Sequence, residues 1–380
     1  MSPSSSKLAG DLPSLPATMK AWTYTKAGSP LDTLQLSTSH PVPSPSALAP
    51  TELLIKVSHA SINPTTRLIM HGYPTILLQK TPPRVPEFEF SGVVIAVSAS
   101  ADAALREEFP LGAPVLGMNN PVREVARKNR GTLAEYVVGT AENLIRKPDN
   151  VSLEEAAGIV ATGCTAMNLV TRAGVRKGDR VLINGGSSGT GLMAVQIVKN
   201  ILGKTGRIVA TCSGPNEELV QSLGADETID YTKHDKLHEH LATRYSASPF
   251  DVILDTIGIQ SLYDHCPAYL SPPTRDRPLR YLNTGALYAP TTFITICAGL
   301  LWLLRVLLLP SFLGGGHGGF AFVRTGPSKM RIEKVRRMVE EGKLRAVVDS
   351  VWEMEDAMKA YERNMSKHMK GKVLVKVQEV

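Results

Sequence analysis

The sequence predicts an α/β protein in which a compact β-rich domain is followed by a doubly wound domain with a parallel sheet. Residues 19–150 alternate short β-like runs with Pro/Gly turns, which is typical of a small β-rich domain. From residue 151 onward helices and strands alternate, and that alternation indicates a parallel sheet covered by helices. The chain of 380 residues, 43% hydrophobic and 20% charged, is long enough for two full-sized cores.

The predicted elements follow this division along the chain. Residues 1–17 are rich in Ser and lack the apolar core of a signal peptide, so we expect a disordered tail. The predicted domains are 18–150 (β-rich), 151–310 (doubly wound) and 311–380 (a return to the first domain). The first domain is expected to start at residues 19–24. The expected strands are 52–58, 92–98, 134–138, 180–184, 206–211, 251–255, 279–284 and 372–377, and the expected helices are 153–173 and 330–341.

Composition argues against several classes of function. The net charge of +7 comes from scattered basic residues, without a basic stripe interleaved with aromatics, so we expect no nucleic-acid partner. The four cysteines are far apart and predict neither a disulfide framework nor a Cys-x-x-Cys zinc site, which fits the reducing cytoplasm. No arrangement of Ser, His and Asp suggests nucleophilic catalysis. The histidines at 234, 238 and 240 share one polar stretch, but no further motif supports a metal site there.

A glycine-rich turn follows the expected strand at 180–184 and precedes an amphipathic helix. A strand, a glycine turn and a helix in this order present backbone N–H groups and a helix N-terminus to a pyrophosphate. The spacing is G-x-x-x-G-x-G rather than G-x-G-x-x-G, and an ordinary structural turn is the alternative; the flanking strand and helix favour a nucleotide site. The cofactor-binding residues predicted in this turn are Gly185, Ser187, Ser188, Gly189 and Thr190.

The end of the next strand favours NADP(H) over NAD(H). A protein that prefers NAD usually has Asp or Glu there, where the carboxylate accepts from the ribose 2′-OH. Ser213 holds this place, 22 residues after Gly191 (213 − 191), and its small neutral side chain leaves room for a 2′-phosphate. The alternative is that Ser213 only starts a turn. No Lys or Arg lies between Arg207 and Lys233, so a cation for the phosphate must come from elsewhere in the fold.

One pattern of motifs extends over residues 19–377. It consists of the glycine turn and of motifs at 62–64, 85–92, 112–117, 131–136, 163–166, 223–231 and 250–255. This pattern resembles the medium-chain dehydrogenase/reductase superfamily, and within it the zinc-free quinone oxidoreductase branch related to zeta-crystallin. The resemblance implies a GroES-like β-rich catalytic domain, a Rossmann cofactor domain and a homodimer.

The resemblance also implies roles for single residues. Asn63 is expected near the nicotinamide, where its amide donates to a substrate carbonyl or to the cofactor ribose; an Asn-Pro turn residue is the alternative. Thr165 resembles the residue on the nicotinamide side, and Tyr231 resembles the residue beside the 2′-phosphate, although packing explains such a Tyr equally well. Gly285 follows the expected strand at 279–284 and is also expected to bind the cofactor. Tyr73 is the second predicted catalytic residue.

The positions that resemble catalytic zinc ligands of the superfamily are Asn63, Phe88 and Ile159. Phe and Ile cannot coordinate a metal, so we expect no metal. Without a Lewis acid, the expected reaction is hydride transfer from NADPH to an activated C=C or a quinone, because the substrate carbonyl delocalises the developing charge. One alternative is a trans-acting enoyl reductase of a biosynthetic, polyketide-like pathway. The other is a non-catalytic nucleotide-binding protein associated with a membrane.

Residues 293–309 are apolar over nearly the length of a membrane span, interrupted by Arg305. We expect a buried helix that lines the interdomain cleft and a dimer interface. The alternatives are a helix on a membrane or lipid-droplet surface and a spanning helix. The expected localisation is cytoplasmic, with membrane, lipid-droplet or mitochondrial association as alternatives.

Overall fold

The computed structural model describes residues 15–71, 82–285, 297, 301–302, 304–306, 308–309, 316–317, 319–323, 326–366 and 368–380. Contacts divide the chain into two compact units. The first unit contains the described residues up to Ala157, together with Val351–Met365 and Leu374–Val380. The second unit contains the described residues of Gly158–Ser350 and of Ser366–Val373. The predicted disordered tail lies almost entirely outside the described residues.

The strands and helices are named here in chain order. The strands are β1 (Thr18–Thr23), β2 (Gln35–Pro41), β3 (Glu52–Ile62), β4 (Glu89–Val97), β5 (Pro114–Met118), β6 (Tyr136–Thr140), β7 (Leu144–Arg146), β8 (Arg180–Asn184), β9 (Arg207–Cys212), β10 (Glu227–Asp230), β11 (Val252–Asp255), β12 (Tyr281–Asn283), β13 (Phe320–Phe322), β14 (Val348–Glu353) and β15 (Lys372–Lys376). The α-helices are α1 (Pro30–Thr33), α2 (Pro64–Met70), α3 (Ala103–Glu108), α4 (Leu153–Ala156), α5 (Val160–Ala173), α6 (Gly189–Leu202), α7 (Glu217–Ser222), α8 (Leu237–Tyr245), α9 (Gln260–Asp264), α10 (Lys329–Glu340) and α11 (Ala357–Met365).

The first unit is built on a largely antiparallel sheet. Its strand order is β14-β15-β3-β4-β5-β7, with β6 paired to β3, and β1 and β2 form a separate antiparallel pair. β3 extends beyond the predicted end at residue 58 to Ile62. Its last residues are buried, like those at 52–58. The long pairing of β3 with β4 brings the segment before β4 close to the end of β3, where the predicted residue Asn63 follows.

The second unit contains a parallel sheet in the order β10-β9-β8-β11-β12-β13. The central strand β8 is buried at Val181, Leu182 and Ile183, as expected for a parallel strand covered on both faces. The chain runs outward from β8 through β9 to β10 and then restarts at β11 on the other side of β8. The carboxyl ends of β8 and β11 therefore form the topological switch point, where doubly wound sheets bind ligands. The predicted fold class is confirmed.

Several elements differ from the prediction. The expected helix at 153–173 is two helices, because α4 is a single turn closed by a Ser152–Glu155 capping box and α5 begins only at Val160. β10 and β13 were not predicted, since four and three residues are too few to show a period. Residues 311–380 were predicted to return together to the first unit, but α10 lies in the second unit. There it packs so closely that a Cβ on Gly163 of α5 would lie 3.0 Å from Val335.

The apolar segment 293–309 is described only in part. Trp302 and Val306 are buried in a core cluster with Tyr263, and Arg305 forms an ion pair with Asp264 at 2.9 Å. The exposed apolar side chains of this stretch are Leu301, Leu304, Leu308 and Leu309. Within the described ranges, no helix is long and apolar enough to cross a membrane. The predicted dimer interface and the surface contact with a membrane or lipid droplet remain predictions.

Candidate functional site

The glycine turn lies at the carboxyl end of β8, beside the switch point of the parallel sheet. Gly185 has a φ of +79°, a left-handed conformation that residues with a side chain rarely adopt. A Cβ built on Gly191 would lie 2.0 Å from the carbonyl oxygen of Gly185. Any side chain at 191 would therefore displace the turn. Glycine at these two positions lets the chain reverse sharply and lets α6 pack tightly against the end of its strand.

The polar residues of the turn surround the N-terminus of α6. Oγ of Ser188 accepts a hydrogen bond from the N–H of Gly191 at 3.0 Å and lies 2.9 Å from Oγ1 of Thr256. Ser187, Ser188 and Thr190 are half-buried. The 14 residues of α6 give this end the positive pole of a full helix dipole, which favours an anion. The turn therefore fits the pyrophosphate of a dinucleotide.

A buried lysine lies beside the same helix end. Lys372 is 4% exposed, and its Cδ is 3.2 Å from the place that a Cβ on Gly189 would occupy. The preceding Gly371 donates its N–H to the carbonyl of Ser187 at 3.2 Å, which ties this segment to the turn. The side chain of Lys372 thus lies beside the helix end where the helix dipole favours an anion. No role was predicted for this residue from the sequence, and the signal was a charged residue that opens an apolar strand.

Asp255 organises the neighbouring strand end at the switch point. Its fully buried carboxylate accepts from Nδ2 of Asn184 and from Oη of Tyr281, both at 2.8 Å. It also accepts from the backbone N–H groups of residues 257, 258 and 259 within 3.1 Å. Burial and the Asp255 charge raise the pKa of Tyr281 well above 10, so its phenol stays a donor. These bonds fix the loop after β11 against the glycine turn, where Ile257 lies 2.5 Å from a Cβ on Gly185.

Gly285 follows β12 at the same edge of the sheet. A Cβ on Gly285 would lie 2.0 Å from the carbonyl carbon of Ile257 and 2.4 Å from the nitrogen of Gly258. Glycine is therefore required at 285 by the close approach of two strand-end loops. The predicted contact of Gly285 with the cofactor remains a prediction.

Two neutral polar residues, Ser213 and Asn216, follow the end of β9. Oγ of Ser213 accepts from Nδ2 of Asn216 at 3.0 Å, and Oδ1 of Asn216 is buried without a hydrogen-bond partner among the described residues. A buried polar atom without a partner is costly and suggests that a ligand completes the site. Rotation of this amide by half a turn would direct its two donor hydrogens outward and let Ser213 donate to Oδ1. The strand end can thus meet either a hydroxyl or a phosphate.

Charged groups follow on the adjacent strand. Oδ2 of Asp230 lies 2.8 Å from the place of a Cβ on Gly214, and Nζ of Lys233 is 3.4 Å from the same oxygen. Hydrogen bonds from Thr232 hold the pKa of Asp230 below its usual value, so the carboxylate is ionised at neutral pH. Tyr231 is 43% exposed, so its ring is not a core side chain. A 2′-phosphate near Ser213 would therefore meet one lysine and one opposing carboxylate.

Thr165 lies in α5 and is buried. Its hydroxyl donates to the carbonyl of Ala161 at 2.6 Å, within its own helix. The predicted position of Thr165 on the nicotinamide side remains a prediction.

Asn63 is the predicted catalytic residue of the first unit, and it is held by the protein itself. Its Nδ2 donates to the carbonyl of Ser61 at 2.8 Å and lies 3.4 Å from Oε2 of Glu87. Its backbone N–H donates to the same carboxylate oxygen at 3.1 Å. The sequence analysis gave no role to Glu87. Tyr73, the second predicted catalytic residue, lies outside the described residues.

The positions that resemble zinc ligands hold buried side chains, and two of them, Phe88 and Ile159, are apolar. Within the part of the chain that the structure describes, no group of three or more His, Cys, Asp or Glu residues is placed to hold a metal ion. The histidines of the polar stretch form stacked rings, His234 with His240 at 3.8 Å and His238 with His265 at 4.1 Å.

Comparison with known proteins defines the class. Residues 49–149 match the alcohol dehydrogenase GroES-like domain, and residues 223–375 match a domain described as zinc-binding dehydrogenase. The trans-enoyl reductase poxH of Penicillium oxalicum is 38% identical over 389 residues, covering 95% of this chain and 98% of that protein. The chain therefore belongs to the medium-chain dehydrogenase/reductase superfamily and is an oxidoreductase.

Two further similarities extend over most of the chain. The chloroplastic NADPH-dependent alkenal/one oxidoreductase of Arabidopsis thaliana is 30% identical, with 95% of this chain and 80% of that protein covered. The solved quinone oxidoreductase of Coxiella burnetii superposes with a TM-score of 0.72 at 24% identity, covering 95% of this chain and 99% of that one. The structural likeness confirms the fold. The family and the glycine turn together indicate a nicotinamide cofactor.

Proposed function

We propose that this oxidoreductase uses NADPH, without zinc, to reduce an activated C=C in an enone or enoyl thioester, or a quinone. The observation that carries the substrate class is whole-chain similarity to a trans-enoyl reductase and to an alkenal/one oxidoreductase. The neutral pair of Ser213 and Asn216 at the end of β9 supports NADPH, because Ser213 stands where a protein that prefers NAD usually has Asp or Glu.

The residues of the second unit have separable roles in holding the cofactor. The N-terminus of α6 and Lys372 bind the pyrophosphate, while Asp255 keeps the adjacent loop in place. Ser213, with Lys233, receives the 2′-phosphate, and Tyr231 lies against the adenosine. The predicted contacts of Thr165 and Gly285 complete the nicotinamide side. When bound, the reduced nicotinamide supplies a hydride to the β-carbon of the substrate.

Asn63 orients the cofactor ribose through its side-chain amide, whose Oδ1 accepts a hydrogen bond from a ribose hydroxyl. The two amide hydrogens are donated to Ser61 and Glu87, so the amide does not donate to the substrate carbonyl, which delocalises the developing charge itself. Solvent supplies the proton that completes the reduction, so hydride and proton together saturate one C=C bond. Tyr73 remains the second proposed catalytic residue.

A second candidate is a trans-acting enoyl reductase whose substrate is carried on a separate biosynthetic enzyme. The similarity of 38% to the Penicillium oxalicum protein of that name favours it. It shares the chemistry of the first candidate and differs in the substrate carrier.

Turnover with a substrate panel tests the function. We expect purified protein to oxidise NADPH in the presence of an aliphatic enone, a 2-enoyl thioester or a quinone, with the saturated product or the hydroquinone identified by mass spectrometry. Activity with the thioester at least ~10-fold above that with the enone would favour the trans-acting candidate. Binding of NADPH without turnover of any panel member would contradict both candidates.

Metal content is the second test of this proposal. We expect less than stoichiometric zinc in the purified protein and full activity after dialysis against a chelator, because Phe88 and Ile159 supply no metal-binding atom. Elemental analysis and activity assays on the same samples measure this. One tightly held zinc per chain, whose removal abolishes activity, would overturn the zinc-free assignment.

A further inference from the structure

Glu87 combines two features that are costly for a side chain. It is completely buried between the apolar residues Val85 and Phe88, and its φ is +65°, in the left-handed region. A glycine at this position would avoid both the backbone strain and the burial of a carboxylate. Strained residues with buried polar groups persist where the surrounding structure uses them. The hydrogen bonds of the Glu87 carboxylate identify the groups that it fixes in position.

The two oxygens of Glu87 accept from different parts of the first unit. Oε2 accepts from Oγ1 of Thr66 at 2.7 Å, from the N–H of Asn63 at 3.1 Å and from Nδ2 of Asn63 at 3.4 Å. Oε1 accepts from Oη of Tyr361 in α11 at 2.8 Å. Burial and the Glu87 carboxylate raise the pKa of Tyr361 well above 10, so the phenol stays protonated and donates. Hydrogen bonds to a carboxylate are stronger than those between neutral groups.

Oε2 of Glu87 thus binds Asn63, the residue that precedes α2, and Oε1 accepts a hydrogen bond from Tyr361 in α11. Asn63 is fixed at both its backbone and its amide, and Thr66 fixes the first turn of α2. The second hydrogen of the amide goes to the carbonyl of Ser61 at 2.8 Å. This arrangement determines the plane and the direction of the Asn63 amide.

We propose that Glu87 is a positioning residue that acts on the reduction through Asn63. This inference rests on the proposed function of Asn63, and it names the residue that orients the amide before substrate arrives. An amide held in advance keeps Oδ1 in one place, so that it can accept from a ribose hydroxyl of the cofactor without reorienting during the reaction. Tyr361 stabilises the carboxylate from the other side and has no contact of its own with Asn63 among the bonds described.

A double-mutant cycle tests the proposal. Glu87→Gly removes the carboxylate and relaxes the backbone, and we expect kcat to fall ~10-fold, because Asn63 no longer holds the cofactor ribose in one position. Asn63→Ala should cause a similar fall. The double variant should lose no more than ~2-fold beyond either single variant, because both changes remove one interaction. Glu87→Gln, which keeps an acceptor for Asn63 and can donate to Tyr361, should retain kcat within ~3-fold.

Tyr361→Phe is the matched structural control. It removes the bond to Oε1 but leaves the contacts between Oε2 and Asn63, so we expect a lower Tm with kcat within ~2-fold. Circular dichroism confirms that each variant is folded. Independent, multiplicative losses in the double variant would overturn the proposal, and so would wild-type kcat in Glu87→Gly.

Crystal structures of the wild type and of Glu87→Gly separate this proposal from the proposed function. A changed orientation of the Asn63 amide in Glu87→Gly supports positioning, and an unchanged amide contradicts it. A wild-type protein that reduces no member of the panel contradicts the proposed function whatever the amide does. Normal activity in the wild type and in Glu87→Gly, with loss in Asn63→Ala, keeps the proposed function and overturns the role of Glu87.

Discussion

Replacement of Gly189 by valine is expected to raise the Kd for NADPH at least ~100-fold, about 2.7 kcal/mol, while the protein remains folded. Gly189 is the first residue of α6, and a Cβ there would lie 3.1 Å from Cγ2 of Thr162 and 3.2 Å from Cδ of Lys372. These two contacts involve movable side-chain atoms, and a third, at 3.3 Å, is with the backbone oxygen of Gly371. The branched side chain would push Lys372 away or cover the helix end that receives the pyrophosphate. Isothermal titration calorimetry measures the change.

Gly326→Val is the matched control for this substitution. It lies in the second unit, and a Cβ at this position meets no atom of the described residues within 4 Å. It should bind NADPH like the wild type. Lys372→Met shows how much of the loss comes from the cation alone, since it removes the charge without adding bulk at 189. Unchanged NADPH affinity in a folded Gly189→Val variant would place the phosphate site elsewhere.

The sequence predicted the central part of the second unit well, because local signals coincide there. Apolar residues at 181–183, a run of glycines and an amphipathic helix each point to one strand-turn-helix unit, and the structure has β8 and α6 in those places. Ser213 was expected at a strand end for the same reason and follows β9 directly. Such features depend on neighbours in sequence.

The residues that the sequence analysis missed depend on contacts between distant segments. Lys372 reaches the glycine turn from 183 residues away (372 − 189), and Glu87 meets Tyr361 across 274 residues. Asp255 ends a predicted strand, but its role follows from bonds to Asn184 and Tyr281 on neighbouring strands. The periodicity of apolar residues along the sequence does not indicate such contacts between distant segments. An acidic residue within the apolar run 85–90 was the local sign that Glu87 had a special environment.

The choice between cofactors depends on charge at the end of β9. We expect NADPH to bind at least ~10-fold tighter than NADH, about 1.4 kcal/mol, and Ser213→Asp to reverse that order. The new carboxylate would repel a 2′-phosphate and could accept from the 2′-OH of NADH instead. The carboxylate of Asp230, 2.8 Å from the place of a Cβ on Gly214, is present in both the wild type and the variant, so the change in order reports the new charge at 213. Titration of each variant with both cofactors measures the order.

Two variants separate the position of the charge from its presence. Ser213→Ala removes the bond to Asn216 without adding charge and should keep NADPH the preferred cofactor. Ser248→Asp adds the same charge at an exposed residue that precedes β11, at the amino-terminal edge of the parallel sheet, opposite to the edge where Ser213 lies. It should change neither affinity by more than ~2-fold, because salt and distance screen a charge across the sheet. Equal affinity of the unmutated protein for NADPH and NADH would contradict the assignment. A Ser248→Asp variant as impaired as Ser213→Asp would show that net charge, rather than the chemistry of this strand end, governs the preference.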